Sequence, residues 1–428
     1  MIGLVVNPVA GVGGPAGLAG SDGADVQRLA LARGARSRVQ ERAVLALTTL
    51  AERHPGLVVA TVAGAMGADA VRAAGLVPRV VGVGARDAGS AGSPEAAGVT
   101  EAADTSRAVA ALAAAGADLI LVVGGDGTLR DAVSGLGAVG HPSGERVDGE
   151  RGDDGSAFEA ENSRQVHGQG GSGTRTPRLG LPAVLGVPAG VKMYSPVFAV
   201  SPRAAGSIAA DWIDHDGLPT EEREVLDIDE ASMRRARVDP TLYGMLRVPH
   251  RSGRTQARKA PTPVTEAAAV EAAARGAVSR MRPGVRYLLG PGGTIAEITR
   301  QLGVEGSPLG VDVVLDGAIL VRGASEQELL AQIAEGPAQA VVTVIGGQGF
   351  LLGRGNQQLS ASVLRALGDD PLLVVAPEQK LIDLHGRPLL VDTGDPELDA
   401  RLAGHVRIIT GVGTSSLYAV SAPELISV

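Results

Sequence analysis

The feature that most constrains this 428-residue chain is an apolar run that ends in a glycine-rich turn. The run is Leu119–Val123, and Gly124-Gly125-Asp126-Gly127-Thr128 follows it directly. A continuous apolar run of this length predicts a strand buried on both faces. Glycines after such a strand allow positive φ angles and let backbone N–H groups approach an anion closely. The segment therefore predicts a parallel sheet with an anion site at its edge.

Asp126 and Thr128 give this turn its chemistry. The Thr128 hydroxyl can cap the following helix, whose N-terminus favours an anion. A carboxylate beside that anion can accept a proton from an attacking hydroxyl or help to hold Mg²⁺. The alternative is an ordinary strand-to-helix turn in which Asp126 only caps the helix.

The first part of the chain alternates short apolar runs with longer helical patterns. Strands are predicted at Ile2–Val6, Leu57–Val62, Arg79–Val83 and Leu119–Val123. Helices are predicted at Asp25–Arg53, Ala68–Ala74 and Glu101–Ala115. This alternation indicates a parallel sheet covered by helices, in which ligands bind at the carboxyl ends of the strands. Asn7 and the glycine-rich turn both fall at such ends.

The later part of the chain predicts a second domain. Leu179–Val187 reads as a strand, followed by the turn Pro188–Ser195 and a helix at Pro202–Asp214. Closely spaced apolar segments then predict a strand-rich region; they are Glu224–Ile228, Ala318–Val321, Ala340–Ile345, Leu372–Val375, Leu389–Val391 and Val406–Thr410. The predicted domains are residues 1–200 and 201–428. Residues 141–178 and 86–98 are poor in large apolar side chains and are predicted to be disordered.

Composition excludes several classes of function. The net charge is −8 and aromatic residues make up 2% of the chain, so the basic stripe and stacking rings of a nucleic-acid binder are missing. The absence of Cys excludes disulfides, thiolate catalysis and Cys-based metal sites. The N-terminus reads as a buried strand instead of a signal peptide, and no apolar run approaches the ~20 residues that span a bilayer. We therefore expect a cytoplasmic protein with no nucleic-acid or membrane partner.

Other glycine-rich segments offer further candidates. The stretch Asn7–Gly14 fails the dinucleotide fingerprint because Ala16 stands where the third glycine is needed, and no Walker A sequence is present. Lys192, one of only three lysines, could be a point charge for a phosphate or a solvated loop lysine. Two further candidate segments are Gly290–Thr294, which contains three glycines, and Leu309–Asp312.

The segment Ile345–Gln358 carries Arg354 and several amide side chains in a dense glycine loop. Arginine and amides suit ribose hydroxyls, a carboxamide or a phosphate, and an exposed glycine-rich turn is the alternative. The seven His residues show no metal-ligand spacing, and no Gly-x-Ser-x-Gly elbow occurs. We therefore expect neither a zinc site nor a serine nucleophile.

Taken together these residues resemble the ATP-NAD kinase family. The resemblance is to its bacterial and archaeal branch of polyphosphate- or ATP-dependent NAD kinases, which includes the acetoin-catabolism X proteins. The segments that carry it include Gly3–Gly14, Asp118–Asp131, Gly186–Ser195, Tyr287–Thr294, Leu309–Asp312 and Gly346–Gln358. The motif Gly-Gly-Asp-Gly-Thr also occurs in lipid kinases and indicates the superfamily. Asn7-Pro8 and Gly353-Arg354-Gly355-Asn356-Gln357 indicate the branch.

The resemblance implies an α/β fold with an N-terminal Rossmann-like domain and a C-terminal β-rich domain, as in NAD kinases and diacylglycerol kinases. NAD would bind between the domains, and the residue at the position of Asp126 would abstract the proton of the adenosine 2′-hydroxyl. Mg²⁺ would accompany the phosphoryl donor, ATP or polyphosphate, and the chain would form a homo-oligomer. The candidate binding residues are Asn7, Gly124, Gly125, Gly127, Thr128, Lys192, Tyr194, Ser195, Asp312, Arg354, Asn356 and Gln357.

The chain departs from the family at one point. NAD kinases carry an Asn-Glu or Asn-Asp pair that contacts the dinucleotide, and Asn356-Gln357 is the nearest substitute here. Three hypotheses stay open: an NAD kinase, a related kinase that acts on another small diol or lipid hydroxyl, and a regulator that binds NAD without turnover. Asp126 argues against the regulator, because binding alone requires no general base.

Overall fold

The structure is a computed structural model that describes residues 1–18, 24–83, 102–140, 180–227, 241–250, 255–256 and 267–423. The two stretches predicted to be disordered, 141–178 and 86–98, lie outside the described residues. None of the helices in the described ranges is both long and apolar enough to cross a membrane.

The N-terminal domain is built on a five-stranded parallel sheet with the order β3-β2-β1-β4-β5. Its strands are β1 (Ile2–Val6), β2 (Val58–Thr61), β3 (Val77–Val80), β4 (Leu119–Gly124) and β5 (Ala183–Pro188). Every residue of β1, β4 and β5 is buried, so helices cover both faces of the sheet. The predicted parallel sheet is confirmed, although β3 begins two residues before the predicted start at Arg79, and β5 begins later than Leu179.

The helices of this domain are α1 (Ala24–Ala32), α2 (Val39–Arg53), α3 (Ala68–Ala73), α4 (Ala102–Ala114), α5 (Asp126–Gly140) and α6 (Pro202–Asp214). Helix α2 packs against α6, and α4 packs against α5. The prediction of one continuous helix over Asp25–Arg53 is wrong. Gly34 has a φ of 77°, a left-handed conformation that ends a helix, and the chain turns there before α2 begins.

A two-stranded antiparallel hairpin, β6 (Thr220–Asp227) and β7 (Thr241–Pro249), packs against α5 and β5. Its buried residues Val225, Leu246 and Val248 belong to the N-terminal hydrophobic core. Helix α6 belongs to the same core, so the packing of the N-terminal domain extends past residue 200. The division at residue 200 stays a prediction from the sequence.

The C-terminal domain contains a nine-stranded mixed sheet with the order β10-β9-β8-β11-β13-β15-β16-β14-β12. Its strands are β8 (Arg286–Leu289), β9 (Val311–Leu315), β10 (Ala318–Ala324), β11 (Ala338–Thr343), β12 (Phe350–Leu352), β13 (Leu372–Val375), β14 (Leu389–Val391), β15 (Gly404–Gly411) and β16 (Thr414–Ser421). Its helices are α7 (Ala267–Val278), α8 (Gly293–Leu302), α9 (Glu326–Ala334), α10 (Ala361–Ala366), α11 (Glu378–Ile382) and α12 (Pro396–Leu402). The predicted strand-rich second domain is confirmed.

Four neighbouring strands at the centre of this sheet, β8, β11, β13 and β15, run parallel to one another. Alternate residues of these strands point to opposite faces of the sheet and pack into two separate cores. Leu289 and Val341 pack with α7 and α8, whereas Leu288 and Val342 pack with α9 and α10. The domain is therefore a three-layer α/β structure at its centre, a feature that the sequence did not predict. The carboxyl ends of β8, β11 and β13 lie at one edge.

A largely buried ion-pair triad joins the two domains. Both guanidinium nitrogens of Arg42 donate to the Asp392 carboxylate, at 2.9 and 3.0 Å, and Arg354 donates to Asp392 Oδ2 at 2.7 Å. Arg354 also donates to the Val200 carbonyl at 3.0 Å. Burial alone would raise the pKa of Asp392, and the two positive charges override it and hold the pKa at about 2. We call Arg42, Asp392 and Arg354 the interdomain triad.

Candidate active site

Three loops meet at the carboxyl edge of the N-terminal sheet, because β1, β4 and β5 are neighbours in it. They are the segment at Asn7, the turn Gly124–Thr128, and Pro188–Ser195, which we call the β5 loop. The side-chain amide of Asn7 donates to Thr128 Oγ1 at 3.2 Å. The prediction that both segments lie at carboxyl ends of strands is confirmed.

Glycines let the turn and the β5 loop pack backbone against backbone. A Cβ on Gly190 would lie 2.3 Å from the Cα of Gly125, which no side chain permits. Positive φ angles, however, are not what the turn requires, because Gly124, Gly125 and Gly127 all have φ values outside the left-handed region. The expectation that these glycines adopt positive φ angles is wrong. The close packing of the two backbones requires the absence of a side chain instead.

The expected helix-capping role of Thr128 is also wrong. Helix α5 begins at Asp126, so Thr128 lies inside its first turn. The Thr128 side chain instead fills the space beside Gly124, where a Cβ would lie 2.2 Å from Thr128 Oγ1. Its hydroxyl therefore ties the turn to Asn7.

Asp126 is completely buried and accepts three hydrogen bonds from the β5 loop. The Tyr194 N–H donates to Oδ2 at 2.6 Å. The Ser195 N–H and hydroxyl donate to Oδ1 at 3.1 and 2.6 Å. The carboxylate is thus held in one orientation at the N-terminus of α5.

The proton affinity of Asp126 reflects a balance between burial and these donors. Burial raises its pKa, the donors from Ser195 and Tyr194 oppose that rise, and the charge of Asp227 adds to it, giving a pKa of about 7. Both protonation states are then populated near neutral pH, as a general base requires. Burial and the carboxylates of Asp126 and Asp227 also raise the pKa of the Tyr194 hydroxyl, which stays protonated.

Three glutamine side chains hold the β5 loop, and we call them the amide clamp. Gln357 donates to the Gly190 carbonyl at 3.1 Å. Gln348 and Gln256 donate to the Met193 carbonyl at 3.0 and 3.1 Å. Because Gln348 and Gln357 come from the C-terminal domain, that domain positions the N–H groups that face Asp126.

Two adjoining cavities surround this site. A small pocket of about 50 Å³ is lined by Asn7, Asp126, Thr128, Lys192 and Asp227, among others. A larger interdomain cleft of about 530 Å³ lies between the two domains, a volume typical of small-molecule sites. Gly11 and Gly190 line both cavities, so the cleft leads to the pocket of Asp126.

Two segments of the chain match known family models. Residues 2–142 match the ATP-NAD kinase N-terminal domain, and residues 282–420 match the ATP-NAD kinase C-terminal domain. The chain belongs to the ATP-NAD kinase family. Searches among curated proteins and among solved structures returned no match. In this ATP-NAD kinase family member the β5 loop and Asp227 lie outside both matched ranges, and Asp126 lies inside the first.

Three candidate binding residues are engaged elsewhere. Arg354 is a buried member of the interdomain triad, bonded to Asp392, and does not line the interdomain cleft. Asn356 donates to the Leu351 carbonyl at 2.8 Å and fixes its own loop. Asp312 accepts from the Ser307 N–H at 2.6 Å. Their assignment as ligand-binding residues stays a prediction, and these contacts give each of them a structural role.

The remaining candidates lie at the site. Asn7, Gly125, Gly127, Thr128 and Lys192 line the small pocket, and Gln357 lines the interdomain cleft. Gly124 packs against Thr128, while Tyr194 and Ser195 donate to Asp126. Binding by any of them stays a prediction.

Sequence reasoning missed two features of the site. Asp227 lines the small pocket and pairs with Arg130, whose nitrogen lies 3.2 Å from Asp227 Oδ2. The sequence did carry a signal for Asp227, because it is an acidic residue at the end of a predicted strand. The amide clamp had no such signal, because Gln348 is 155 residues away from its partner in the chain.

Proposed function

We propose that this protein transfers a phosphoryl group from ATP or polyphosphate to the adenosine 2′-hydroxyl of NAD, giving NADP. The observation that carries the proposal is Asp126, a buried carboxylate at a helix N-terminus whose pKa is raised to about 7. Membership of the ATP-NAD kinase family supports the same reaction class. The adjoining interdomain cleft offers room for the substrates.

In the proposed step the 2′-hydroxyl oxygen attacks the terminal phosphorus of the donor. The new O–P bond forms as the bond to the bridging oxygen breaks, and the hydroxyl proton passes to Asp126. The leaving group is ADP, or polyphosphate shortened by one unit. Phosphoryl transfer depends mainly on positioning and charge stabilisation, to which Lys192 and the N-terminus of α5 contribute. Asp126 has no exposed surface, so the pocket wall must move when the hydroxyl binds.

The residues present suit Mg²⁺ as a partner of the donor. The described residues contain no cluster of three or more His, Asp or Glu side chains that could hold a metal. Mg²⁺ commonly uses only one or two carboxylates together with substrate phosphates. Asp227, whose charge already acts on Asp126, would hold the ion with the donor phosphates. The bound ion would neutralise negative charge on the transferred group.

The interdomain cleft carries the cations that a phosphate chain requires. Arg36, Arg38 and Arg365 line it, and guanidinium groups bind phosphates through paired hydrogen bonds. This lining suits ATP and polyphosphate alike, so the donor is left to experiment. Assembly into a homo-oligomer stays a prediction.

The proposal is tested by measuring NADP formation with Mg²⁺ and NAD, with ATP and polyphosphate offered separately. We expect NADP from at least one donor, and the comparison identifies which. Phosphorylation of a small diol or a lipid in place of NAD would replace the acceptor and retain the reaction. Nucleotide binding with no turnover on any acceptor would contradict the proposal and favour a regulator.

The pH dependence of kcat/KM should report the proton affinity of Asp126. Below its pKa of about 7 the base is protonated, so kcat/KM should fall about tenfold for each pH unit. In Ser195→Ala the lost hydroxyl no longer lowers that pKa, so the acid limb should move to higher pH. Ser279→Ala, which removes a hydroxyl that donates to the Gly276 carbonyl in α7, is the matched control and should leave the limb in place. An unmoved limb in Ser195→Ala would show that this hydroxyl does not tune the base.

A further inference from the structure

After the β5 loop the chain returns to the strand that it has left. Phe198 forms a parallel bridge with Gly186, and the Ala199 N–H donates to the Gly186 carbonyl at 2.9 Å. Glycine is required there, because a Cβ on Gly186 would lie 2.5 Å from Cδ1 of Phe198. Pro188 and Val200 each lie two residues beyond this bridge on segments that run parallel, so they are near each other. We call Pro188 and Val200 the base of the β5 loop.

The interdomain triad binds both residues of this base. Arg42 Nη1 donates to the Pro188 carbonyl at 2.9 Å. Arg354 Nη2 donates to the Val200 carbonyl at 3.0 Å. Nη1 of Arg42 and Nη1 of Arg354 also donate to Oδ2 of Asp392. One carboxylate oxygen therefore joins the two guanidinium groups that hold the base.

Burial leaves these groups little freedom. The side chains of Asp392 and Arg354 are 4% and 3% exposed, and the Arg354 guanidinium carbon lies 4.1 Å from the centroid of the Phe350 ring. A buried polar network keeps one arrangement, because a group that leaves it loses partners that water cannot replace there. Without the carboxylate, the guanidiniums of Arg42 and Arg354 would repel each other, and their contacts with the base would change.

The donors that hold Asp126 lie between the two residues of the base. They are the N–H groups of Tyr194 and Ser195. The amide clamp holds the carbonyls of the loop itself, whereas the interdomain triad holds its base. A shift of the base therefore moves both donors relative to Asp126. A displacement of about 1 Å can cost a reaction a factor on the order of 10².

We propose that Asp392 is a positioning residue of the phosphoryl transfer: through Arg42 and Arg354 it fixes the base of the β5 loop, and thereby the donors that hold Asp126. Asp392 does not line the small pocket of Asp126, so it acts through the loop. The effect on turnover rests on the proposed function, whereas the effect on the loop does not.

The effect on the loop is measured by amide hydrogen exchange in the full chain, on residues 189–197 of the loop and 119–123 of β4. Asp392→Asn keeps the size of the side chain and removes its charge. At labelling times too short for buried β4 to exchange, we expect the loop to exchange about tenfold faster than in the wild type. Unchanged loop exchange would refute the proposal. Faster loop exchange that appears only together with exchange of β4 would assign Asp392 to overall stability and would refute it too.

Arg42→Met tests the same link with a milder change. It removes the donor to Pro188, while Asp392 keeps its pair with Arg354. We expect the loop to exchange faster in this variant as well, again before β4 does. Wild-type loop exchange in Arg42→Met would show that the contact with Pro188 does not hold the loop.

Asp211→Asn is the matched control. Asp211 is a buried carboxylate on α6 that accepts from Arg53 at 2.6 Å. Arg53 lies on α2 like Arg42, about three turns further along the helix. The substitution thus removes the charge of another carboxylate that binds an arginine of α2, and loop exchange should stay at the wild-type rate. Acceleration as large as in Asp392→Asn would overturn the specific role of Asp392.

Steady-state kinetics of the same variants measures the effect on turnover. We expect kcat of Asp392→Asn to fall on the order of tenfold to a hundredfold, and kcat of Asp211→Asn to stay near that of the wild type. Asp392 lines the interdomain cleft, but its oxygens bind the two arginines and little of it is exposed, so KM for NAD should change less than kcat.

The kinetic outcomes separate this proposal from the proposed function. A wild-type kcat in Asp392→Asn, or a change confined to KM, would refute the positioning role. If the wild type forms no NADP while Asp392→Asn still accelerates loop exchange, the proposed function fails and the role of Asp392 in fixing the loop stands.

Discussion

Asp126→Asn is expected to lower kcat for phosphoryl transfer by a factor of about 10² to 10⁴ and to leave nucleotide affinity nearly unchanged. The amide cannot accept the proton of the attacking hydroxyl, whereas the two cavities proposed to bind the substrates keep the rest of their lining. Steady-state kinetics and a direct binding measurement with NAD separate the two effects. Turnover close to the wild-type rate would remove Asp126 from the mechanism.

A control is needed because the amide also disturbs the local hydrogen bonds. Both carboxylate oxygens accept N–H groups of the β5 loop, and an asparagine must place its own NH₂ against one of them. The clash should destabilise the fold by about 1–3 kcal/mol. Ser195→Ala disturbs the same hydrogen bonds and keeps the carboxylate. Well above its acid limb it should therefore retain most of its turnover, which Asp126→Asn cannot do.

Asp392→Ala should lower the free energy of unfolding by about 3–5 kcal/mol. It leaves the buried guanidinium of Arg354 and the partly buried guanidinium of Arg42 without the carboxylate that both contact. Chemical denaturation at neutral pH measures the loss. Asp69→Ala removes the acid of an exposed pair with Arg72, and should change the stability by less than about 1 kcal/mol. Equal stability of Asp392→Ala and the wild type would show that the triad contributes nothing.

The pKa of Asp392 also predicts how the stability difference between the wild type and Asp392→Ala depends on pH in acid. The pKa of Asp392 is about 2 in the fold against its ordinary value of 3.8, so its contribution is fully present above pH 4 and disappears as the pH falls through 2. The shift corresponds to about 2 kcal/mol. The stability gap between the wild type and Asp392→Ala should therefore narrow over that range. A gap that stays constant would mean that the carboxylate is not what the substitution removes.

Local signals in the sequence were sufficient for most of the N-terminal sheet. The apolar run before Gly124 predicted β4, because a strand buried on both faces has to be apolar throughout. The convergence of Asn7 with Thr128 followed from the rule that carboxyl ends of parallel strands share an edge. The break at Gly34 was missed, because the helical pattern continues on both sides of it.

Contacts distant in the chain could not be predicted. Because Arg354 lies in a glycine loop, the sequence suggested that it binds a phosphate. Its partner Asp392 lies 38 residues further along, and nothing in either segment indicates the pairing. The three-layer centre of the C-terminal domain was hidden for a similar reason. Short apolar strands look alike whether they lie in a β-rich domain or between two layers of helices.

The amide clamp makes the chemistry of one domain conditional on the placement of the other. The N–H groups that stabilise ionised Asp126 belong to a loop held by Gln348 and Gln357 of the C-terminal domain. If the domains part, that loop keeps Gln256 and loses the other two glutamines of the amide clamp, and a buried carboxylate whose donors are displaced binds its proton more tightly. In the proposed kinase, domain closure would then favour the ionised base, and an open chain would transfer phosphate slowly even with a donor bound. Such an arrangement would protect the donor from hydrolysis until the acceptor is enclosed.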